Sequence, residues 1–132
     1  MTKLILASKS PRRLQLLNST NIIPDIVDPP NINESIIQKE KPKIYLKRIC
    51  LEKAKNIQKK YENDIILAAD TIVSTKQKIF LKPKDEKDAT KTLKYLSGRN
   101  HSVITGICVL FKDRKKIKII ETKIKFKKLH NN

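Results

Sequence analysis

The sequence predicts an α/β fold in which a mixed, twisted sheet is flanked by helices. Apolar runs at residues 4–7, 65–73 and 101–111 are typical of buried strands. Two segments with apolar residues at three- and four-residue spacing begin at prolines, which is typical of helices. Only a charged turn separates the last apolar run from the alternating segment behind it. This arrangement predicts an antiparallel hairpin and argues against a purely parallel sheet.

The chain length and composition predict one globular domain spanning residues 1–132. A chain of 132 residues can bury a real core, and a composition of 39% hydrophobic and 33% charged residues argues against disorder. No repeat, linker or low-complexity segment divides it.

The first strand, Leu4–Ala7, leads into a helix whose start combines Ser10 as N-cap with Pro11 in the first turn. Cationic side chains cluster at this turn: Lys9, Arg12 and Arg13. A helix N-terminus attracts anions and guanidinium forks bind phosphate, so the turn is a candidate phosphate clamp. An ordinary capped helix with surface arginines fits the spacing equally well.

An edge strand and a long loop are predicted next. The run 22–27 reads as a strand, and Pro24 within it favours an edge position. The loop from Asp28 to Asn33 is long enough to carry function, and Glu34 lies just beyond it.

The strongest helical pattern extends from Pro42 to Lys60. Its apolar stripe consists of Tyr45, Leu46, Ile49, Cys50, Ala54 and Ile57. Lys53 lies beside this stripe, where the simplest interpretation is a surface lysine whose stem covers apolar neighbours.

An Asp70-Thr71 pair interrupts the apolar strand predicted over residues 65–73. A carboxylate within such a run is costly unless it is paired, hydrogen-bonded or bound to a metal. Because apolar residues continue after it, a functional role for Asp70 is favoured over an aspartate that caps a turn at a strand end.

The remaining elements are a short strand over residues 79–81, ended by Lys82-Pro83, and a helix from Glu86 to Leu96. Asp85 is expected to cap this helix, and Ser97-Gly98 to end it. Its expected buried face consists of Ala89, Leu93 and Leu96. The predicted hairpin pairs residues 101–111 with residues 117–126.

The charge balance is strongly basic, with 30 Lys and Arg against 13 Asp and Glu. Such an excess suggests a nucleic acid, an anionic membrane or a phosphorylated ligand as partner. The lysines are spread along the whole chain and only 5% of residues are aromatic, so nucleic-acid binding and membrane binding are not favoured.

Cys50 and Cys108 are expected to be buried thiols of a reducing compartment, and no signal peptide is recognised, so we expect a cytoplasmic protein.

Taken together, these stretches resemble the Maf (septum formation) family of nucleoside triphosphate pyrophosphatases. The resemblance is collinear and rests on Leu6-Ala7-Ser8, Ser10-Pro11-Arg12-Arg13, Glu34, Pro42, Tyr45, Arg48, Lys53-Ala54, Ala69-Asp70-Thr71, Lys82-Pro83, Ala89, Leu96-Ser97-Gly98, His101, Val103 and Thr105-Gly106. Each motif alone is weak, whereas their order and spacing together are specific.

The resemblance implies hydrolysis of a nucleoside triphosphate to its monophosphate and pyrophosphate. It implies Asp70 as the proton acceptor, with Glu34 as a second acid that shares a divalent cation, Mg²⁺ or Mn²⁺, with Asp70. The implied phosphate-binding set is Ser8, Arg12, Arg13, Lys53 and Lys82. Arg12 and Thr71 also match the branch of the family that prefers dTTP and UTP.

The sequence departs from the family pattern at two places. Leu81 stands where the family usually has glycine. Family members also continue past the last predicted strand, so the resemblance implies a chain that is incomplete at its C-terminus. The alternatives are an inactive remnant that at most binds a nucleotide or a partner, and an enzyme completed by a separately encoded C-terminal piece or a homodimer.

Overall fold

The computed structural model describes residues 1–76 and 78–125. It confirms the mixed α/β class, with helices beside a six-stranded sheet. In chain order the elements are β1 (Leu4–Ala7), α1 (Pro11–Ser19), β2 (Ile26–Val27), α2 (Pro42–Gln58), β3 (Ile65–Ser74), β4 (Ile79–Phe80), α3 (Glu86–Leu96), β5 (Asn100–Phe111) and β6 (Arg114–Lys125).

The sheet is mixed, as predicted. Its order is β2-β1-β3-β5-β6, and β4 pairs with the far end of β3. β1 is parallel to both β2 and β3, whereas β3, β5 and β6 form an antiparallel series. The short strand β2 lies at one edge of the sheet, as Pro24 predicts.

The core lies between α2 and one face of the sheet. The predicted stripe of α2 is buried in full, and it packs against alternate residues of the central strands. The sheet side of this core consists of Ile5 and Ala7 from β1, Ile66, Ala68 and Ile72 from β3, and Ile104, Cys108 and Leu110 from β5. Both cysteines are free thiols buried in this layer, as expected.

Two helix starts form as their local sequence predicts. Ser10 Oγ accepts a hydrogen bond from the Arg13 amide at 3.3 Å, and Pro11 occupies the first turn of α1. Asp85 Oδ1 accepts from the Asp88 amide at 2.8 Å, which caps α3. Both caps satisfy amides that the helix leaves without an internal partner.

Several predicted boundaries and faces are wrong. The second strand is limited to Ile26–Val27, because Pro24 has no N–H for the ladder and the two isoleucines before it are exposed. α3 buries only Leu96, and the predicted core residue Leu93 is 49% exposed. Periodicity identifies the apolar stripe of a helix, but not whether another layer packs on that stripe.

The hairpin and the end of α2 also differ in length from the prediction. α2 ends at Gln58, and β6 begins at Arg114, so the charged turn is only Lys112-Asp113. Lys112 has a φ of 54°, which lets the turn close in two residues. The predicted strand end at Phe126 lies outside the described residues. Within those residues, no helix is long and apolar enough to cross a bilayer.

Candidate active site

Lys53 lies between two carboxylates that are far apart in the sequence. Its Nζ is 3.0 Å from Glu34 Oε1 and 3.4 Å from Asp70 Oδ2. The Lys53 side chain is only 14% exposed and that of Asp70 23%. Lys53 is therefore not the solvated lysine of the simplest interpretation. One ammonium between two carboxylates leaves this Glu34–Lys53–Asp70 triad with a net negative charge.

Strand alternation turns Asp70 toward α2. Asp70 lies between Ala68 and Ile72, whose side chains are buried on the face of β3 that α2 covers. Its cross-strand partner is Gly106. A Cβ at position 106 would lie 2.8 Å from Leu46 Cγ and 3.0 Å from Cys50 Sγ. The glycine therefore lets α2 approach the sheet closely, at the level where Lys53 meets Asp70.

Asp70 has partners for both carboxylate oxygens. Oδ2 faces Lys53, and Oδ1 accepts a hydrogen bond from the Thr71 amide at 2.9 Å. β3 continues to Ser74, so Asp70 does not cap a turn at a strand end. The pairing offsets the cost of placing a carboxylate within an apolar strand.

Glu34 lies in the loop 28–41, which runs back along α2. The Asn31 amide donates to Asn56 Oδ1 at 3.0 Å near the end of the helix. Nearer its start, the Tyr45 hydroxyl donates to the Glu34 carbonyl at 2.6 Å. The loop is thus held on a polar stripe of α2 beside the apolar one, with Lys53 between these contacts.

The negative charge of the site acts on its buried neighbours. Burial raises the pKa of Tyr45 to about 12, and the charges of Asp70 and Glu34 act in the same direction. Burial likewise raises the pKa of the Cys50 thiol to about 12, with a further contribution from Asp70. Both groups are therefore neutral at physiological pH.

The cationic turn after β1 opens at the same end of the sheet as Asp70. β1 ends at Ala7, which is in register with Ala68, two residues before Asp70. Ser8 Oγ accepts from the Ser10 amide at 3.0 Å and so shapes the turn. Arg12 is exposed and Arg13 half-buried.

The side chains of Lys82 and Thr71 are not among the contacts of the triad. Lys82 follows β4 and is exposed. The ion pairs found among the described residues include none of Lys82, Arg12 and Arg13. Thr71 points to the opposite face of the sheet, where its Oγ1 is 3.0 Å from Thr105 Oγ1.

The two carboxylates are ligands of the kind that a divalent cation of the magnesium type prefers. Within residues 1–76 and 78–125, no group of three or more His, Cys, Asp or Glu side chains could hold a metal. Mg²⁺ is usually bound through one or two carboxylates, with water and substrate phosphates completing its shell. Glu34 Oε1 and Asp70 Oδ2 converge on Lys53 Nζ, so the two carboxylates would supply that set only with the Lys53 ammonium moved out from between them.

Sequence reasoning missed two features that shape the site. Arg48 was recognised only as an element of the family motif, and Tyr45 only as a motif residue and part of the apolar stripe, yet both contact the loop that carries Glu34. Gly106 was recognised in the same way, and its role depends on how close α2 lies to β5. The sequence signal for these residues was that each belongs to the ordered set of family motifs.

Comparisons with known proteins agree with the residue pattern. The model of the family described as Maf-like protein matches residues 3–132. A dTTP/UTP pyrophosphatase of Caulobacter vibrioides is 43% identical over 127 residues, covering 96% of this chain and 66% of the relative. One from Pyrococcus furiosus is 44% identical over 136 residues, covering 100% of this chain and 68% of the relative. The chain therefore spans about two thirds of the length of the curated relatives that it matches.

Proposed function

The chain belongs to the Maf family, and on that basis we propose that it carries the catalytic acids of a nucleoside triphosphate pyrophosphatase. The proposed substrates are dTTP and UTP, hydrolysed to the monophosphate and pyrophosphate, since those nucleotides are named in the relatives. The observation that carries the proposal is the Glu34–Lys53–Asp70 triad beside a cationic turn at a helix N-terminus.

In the proposed reaction, Asp70 is the proton acceptor. It takes a proton from the attacking water while the water oxygen forms a bond to phosphorus and the phosphoanhydride bond between the α- and β-phosphates breaks. The products are the monophosphate and pyrophosphate, one of which contains the water oxygen. Asp70 suits this role because it is fixed on both sides, by Lys53 and by the Thr71 amide. Because the carboxylate is already positioned, little orientational entropy has to be lost when the reaction occurs.

The cations of the site are proposed to bind the triphosphate. Lys53, Arg12, Arg13 and Lys82, with the hydroxyl of Ser8, would neutralise and orient the phosphate oxygens. Phosphoryl transfer depends mainly on such positioning and charge neutralisation. Thr71 is assigned to substrate selection together with Arg12, although its hydroxyl lies on the other face of the sheet.

A divalent cation, Mg²⁺ or Mn²⁺, is part of the proposal, with Glu34 and Asp70 as its protein ligands. When bound, such an ion neutralises phosphate charge and polarises the oxygens that it touches.

Two buried free thiols fit a reducing compartment, so we assign the reaction to the cytoplasm.

The proposed partners are the nucleotide and a second polypeptide. β6 is an edge strand within the described residues, and its Ile120 and Ile124 side chains are exposed. A second copy of the chain, or a separately encoded piece matching the rest of the relatives, would cover this edge. Light scattering of the chain alone, and after mixing with such a piece, separates the two arrangements.

The test is product analysis with purified chain, alone and with the matching piece, in Mg²⁺ or Mn²⁺. Release of pyrophosphate and monophosphate from dTTP and UTP, above that from dATP and dCTP, is the expected result. Release of single orthophosphates would contradict the proposed bond cleavage. Nucleotide binding without turnover under both conditions would favour the alternative of a non-catalytic nucleotide-binding protein.

A further inference from the structure

We propose that Arg48 is the positioning residue for Glu34. Arg48 holds the loop 28–41 against α2 in the one arrangement that brings the Glu34 carboxylate to Lys53 and Asp70. The inference rests on the proposed function, because Glu34 matters for catalysis only if the triad is the active site.

The Arg48 guanidinium makes four hydrogen bonds. Nε is 2.7 Å from Glu40 Oε2, and Nη2 is 2.8 Å from Glu40 Oε1, which is a bidentate pair. Nη2 also donates to the Ser35 carbonyl at 3.0 Å, and Nη1 to Glu52 Oε2 at 3.0 Å. The Glu40 side chain is only 7% exposed. Such paired forks are both stronger and more directional than single contacts.

Two of the contacts between α2 and the loop lie at Glu34 itself and at the residue that follows it. The carbonyl of Glu34 accepts from the Tyr45 hydroxyl, and the next carbonyl, that of Ser35, accepts from Arg48. Tyr45 and Arg48 are three residues apart on α2, and the guanidinium lies 5.5 Å from the centre of the Tyr45 ring. One turn of helix thus fixes two consecutive carbonyls, and with them the direction of the Glu34 side chain.

The part of the loop after Glu34 is held mainly by polar contacts, because its apolar side chains are exposed. Ile32 packs against the core, but Ile36 and Ile37 are exposed, Ile37 by 58%. Glu40 Oε1 accepts from the Ile37 amide at 3.2 Å, so the carboxylate that pairs with Arg48 also closes the loop on itself. Losing the Arg48–Glu40 pair would therefore release residues 35–40, the segment that follows Glu34.

A lysine at position 48 keeps the charge but cannot pair with both Glu40 oxygens and reach the Ser35 carbonyl as well. We expect Arg48→Lys to accelerate amide hydrogen exchange of residues 34–40 at least tenfold, with the amides of β3 and β5 unchanged. Glu40→Gln removes the negative charge and one of the two oxygens that accept from Arg48, and it should loosen the same amides. This second variant serves if Arg48→Lys fails to fold. Glu52→Gln is the matched control, because it removes only an exposed contact of the same guanidinium. Unchanged exchange of residues 34–40 in both test variants would overturn the proposal.

The second measurement is a double-mutant cycle on pyrophosphate release. Arg48→Lys alone should lower kcat about tenfold, as loss of a supporting partner typically does, with KM for the nucleotide within about twofold. Combined with Glu34→Gln, it should cause no further loss, since Arg48 acts through Glu34. Additive losses would show an independent role and contradict the proposal. If the wild-type chain releases no pyrophosphate under any condition, the proposed function fails, while the exchange experiment still decides the role of Arg48.

Discussion

Asp70 and Gly106 lie directly opposite each other in the β3–β5 ladder. The absent side chain at Gly106 leaves room for Leu46 and Cys50 of α2, and this close packing sets the height of Lys53 above the sheet. The geometry of the acid–lysine triad therefore depends on a residue that has no side chain of its own. Packing and chemistry are coupled at this point of the fold.

Gly106→Ala tests that coupling. The added Cβ would lie 2.8 Å from Leu46 Cγ and 3.1 Å from Ile119 Cδ1, so the Leu46 side chain, or α2 with it, must shift and Ile119 must give way slightly. Overpacking of this kind typically costs about 1–3 kcal/mol, which should appear as a lower free energy of unfolding in urea. Thr122→Ala, at an exposed position of β6, is the control and should leave the urea midpoint nearly unchanged. A variant as stable as wild type would show that α2 does not pack as closely as described.

Asp70→Asn tests the proposed proton acceptor. The amide keeps the shape of the side chain but cannot take up the proton, and general-base catalysis contributes roughly 10²–10⁴ in rate. We expect turnover to fall by about that factor, while dTTP binding measured by calorimetry is retained. Asp113→Asn, in the exposed hairpin turn, should keep full activity. If Asp70→Asn turned over substrate at the wild-type rate, Asp70 would be a structural residue.

Arg13→Ala and Lys82→Ala test the phosphate clamp. If both cations bind phosphate oxygens, each variant should weaken triphosphate binding by roughly tenfold or more and leave nucleoside binding nearly unchanged. The comparison of dTTP with thymidine by calorimetry measures this difference. Lys91→Ala, an exposed lysine on α3, controls for the general loss of positive charge. Equal losses for dTTP and thymidine would remove these two residues from the clamp.

The features predicted correctly are those that depend on a few neighbouring residues. Ser10 and Asp85 cap helices because each side chain reaches an amide three residues away. Asp70 was recognised because a carboxylate within an apolar strand needs a partner. That the partner is Lys53 could not be derived from local spacing, since their contact depends on the packing of α2 across β3.

The unpredicted part of the site depends on how a loop without regular structure lies on a helix. Nothing in the local sequence indicates that Glu40 and Arg48 form a partly buried pair, because the geometry follows from the whole path of the loop 28–41. The burial of Leu93 was misjudged for a related reason, since an apolar stripe becomes core only where another layer covers it. The catalytic and binding roles of the site residues stay predictions.

The buried thiols offer a test of the core. Burial raises the pKa of Cys50 to about 12 and that of Cys108 to about 11, so neither forms much thiolate at pH 8. We expect both cysteines to resist alkylation by iodoacetamide in the native protein at pH 8, and to react fully in urea. Mass spectrometry of the labelled chain measures this. Rapid labelling of Cys108 in native protein would show that β5 and β6 open readily.

Acidification should release the loop that carries Glu34. The Arg48 hydrogen bonds hold the pKa of Glu40 below its ordinary value of 4.5. A carboxyl group whose pKa is lowered by folding stabilises the protein above its unfolded pKa, and that contribution is lost as the pH falls through the folded value. The stability difference between wild type and Glu40→Gln should therefore be present at pH 7 and begin to shrink as the pH falls below about 4.5. It should be lost once the pH has passed the lower folded-state pKa, where protonated Glu40 resembles glutamine.

Urea unfolding of both proteins at pH 7 and at pH 3.5 measures this difference, with amide exchange of residues 34–40 as the local readout. Glu52→Gln is again the control, since an exposed pair between residues four apart on a helix contributes only about 0.5 kcal/mol or less. In wild type, once the pH is low enough to protonate Glu40, the amides of residues 34–40 should exchange faster than the intrinsic pH dependence of exchange predicts. The amides of β3 should follow the intrinsic dependence. A stability difference that persisted unchanged at pH 3.5 would mean that Glu40 stabilises the loop through its shape and not through its charge. Arg48 would then need no ionised partner to hold Glu34 in place.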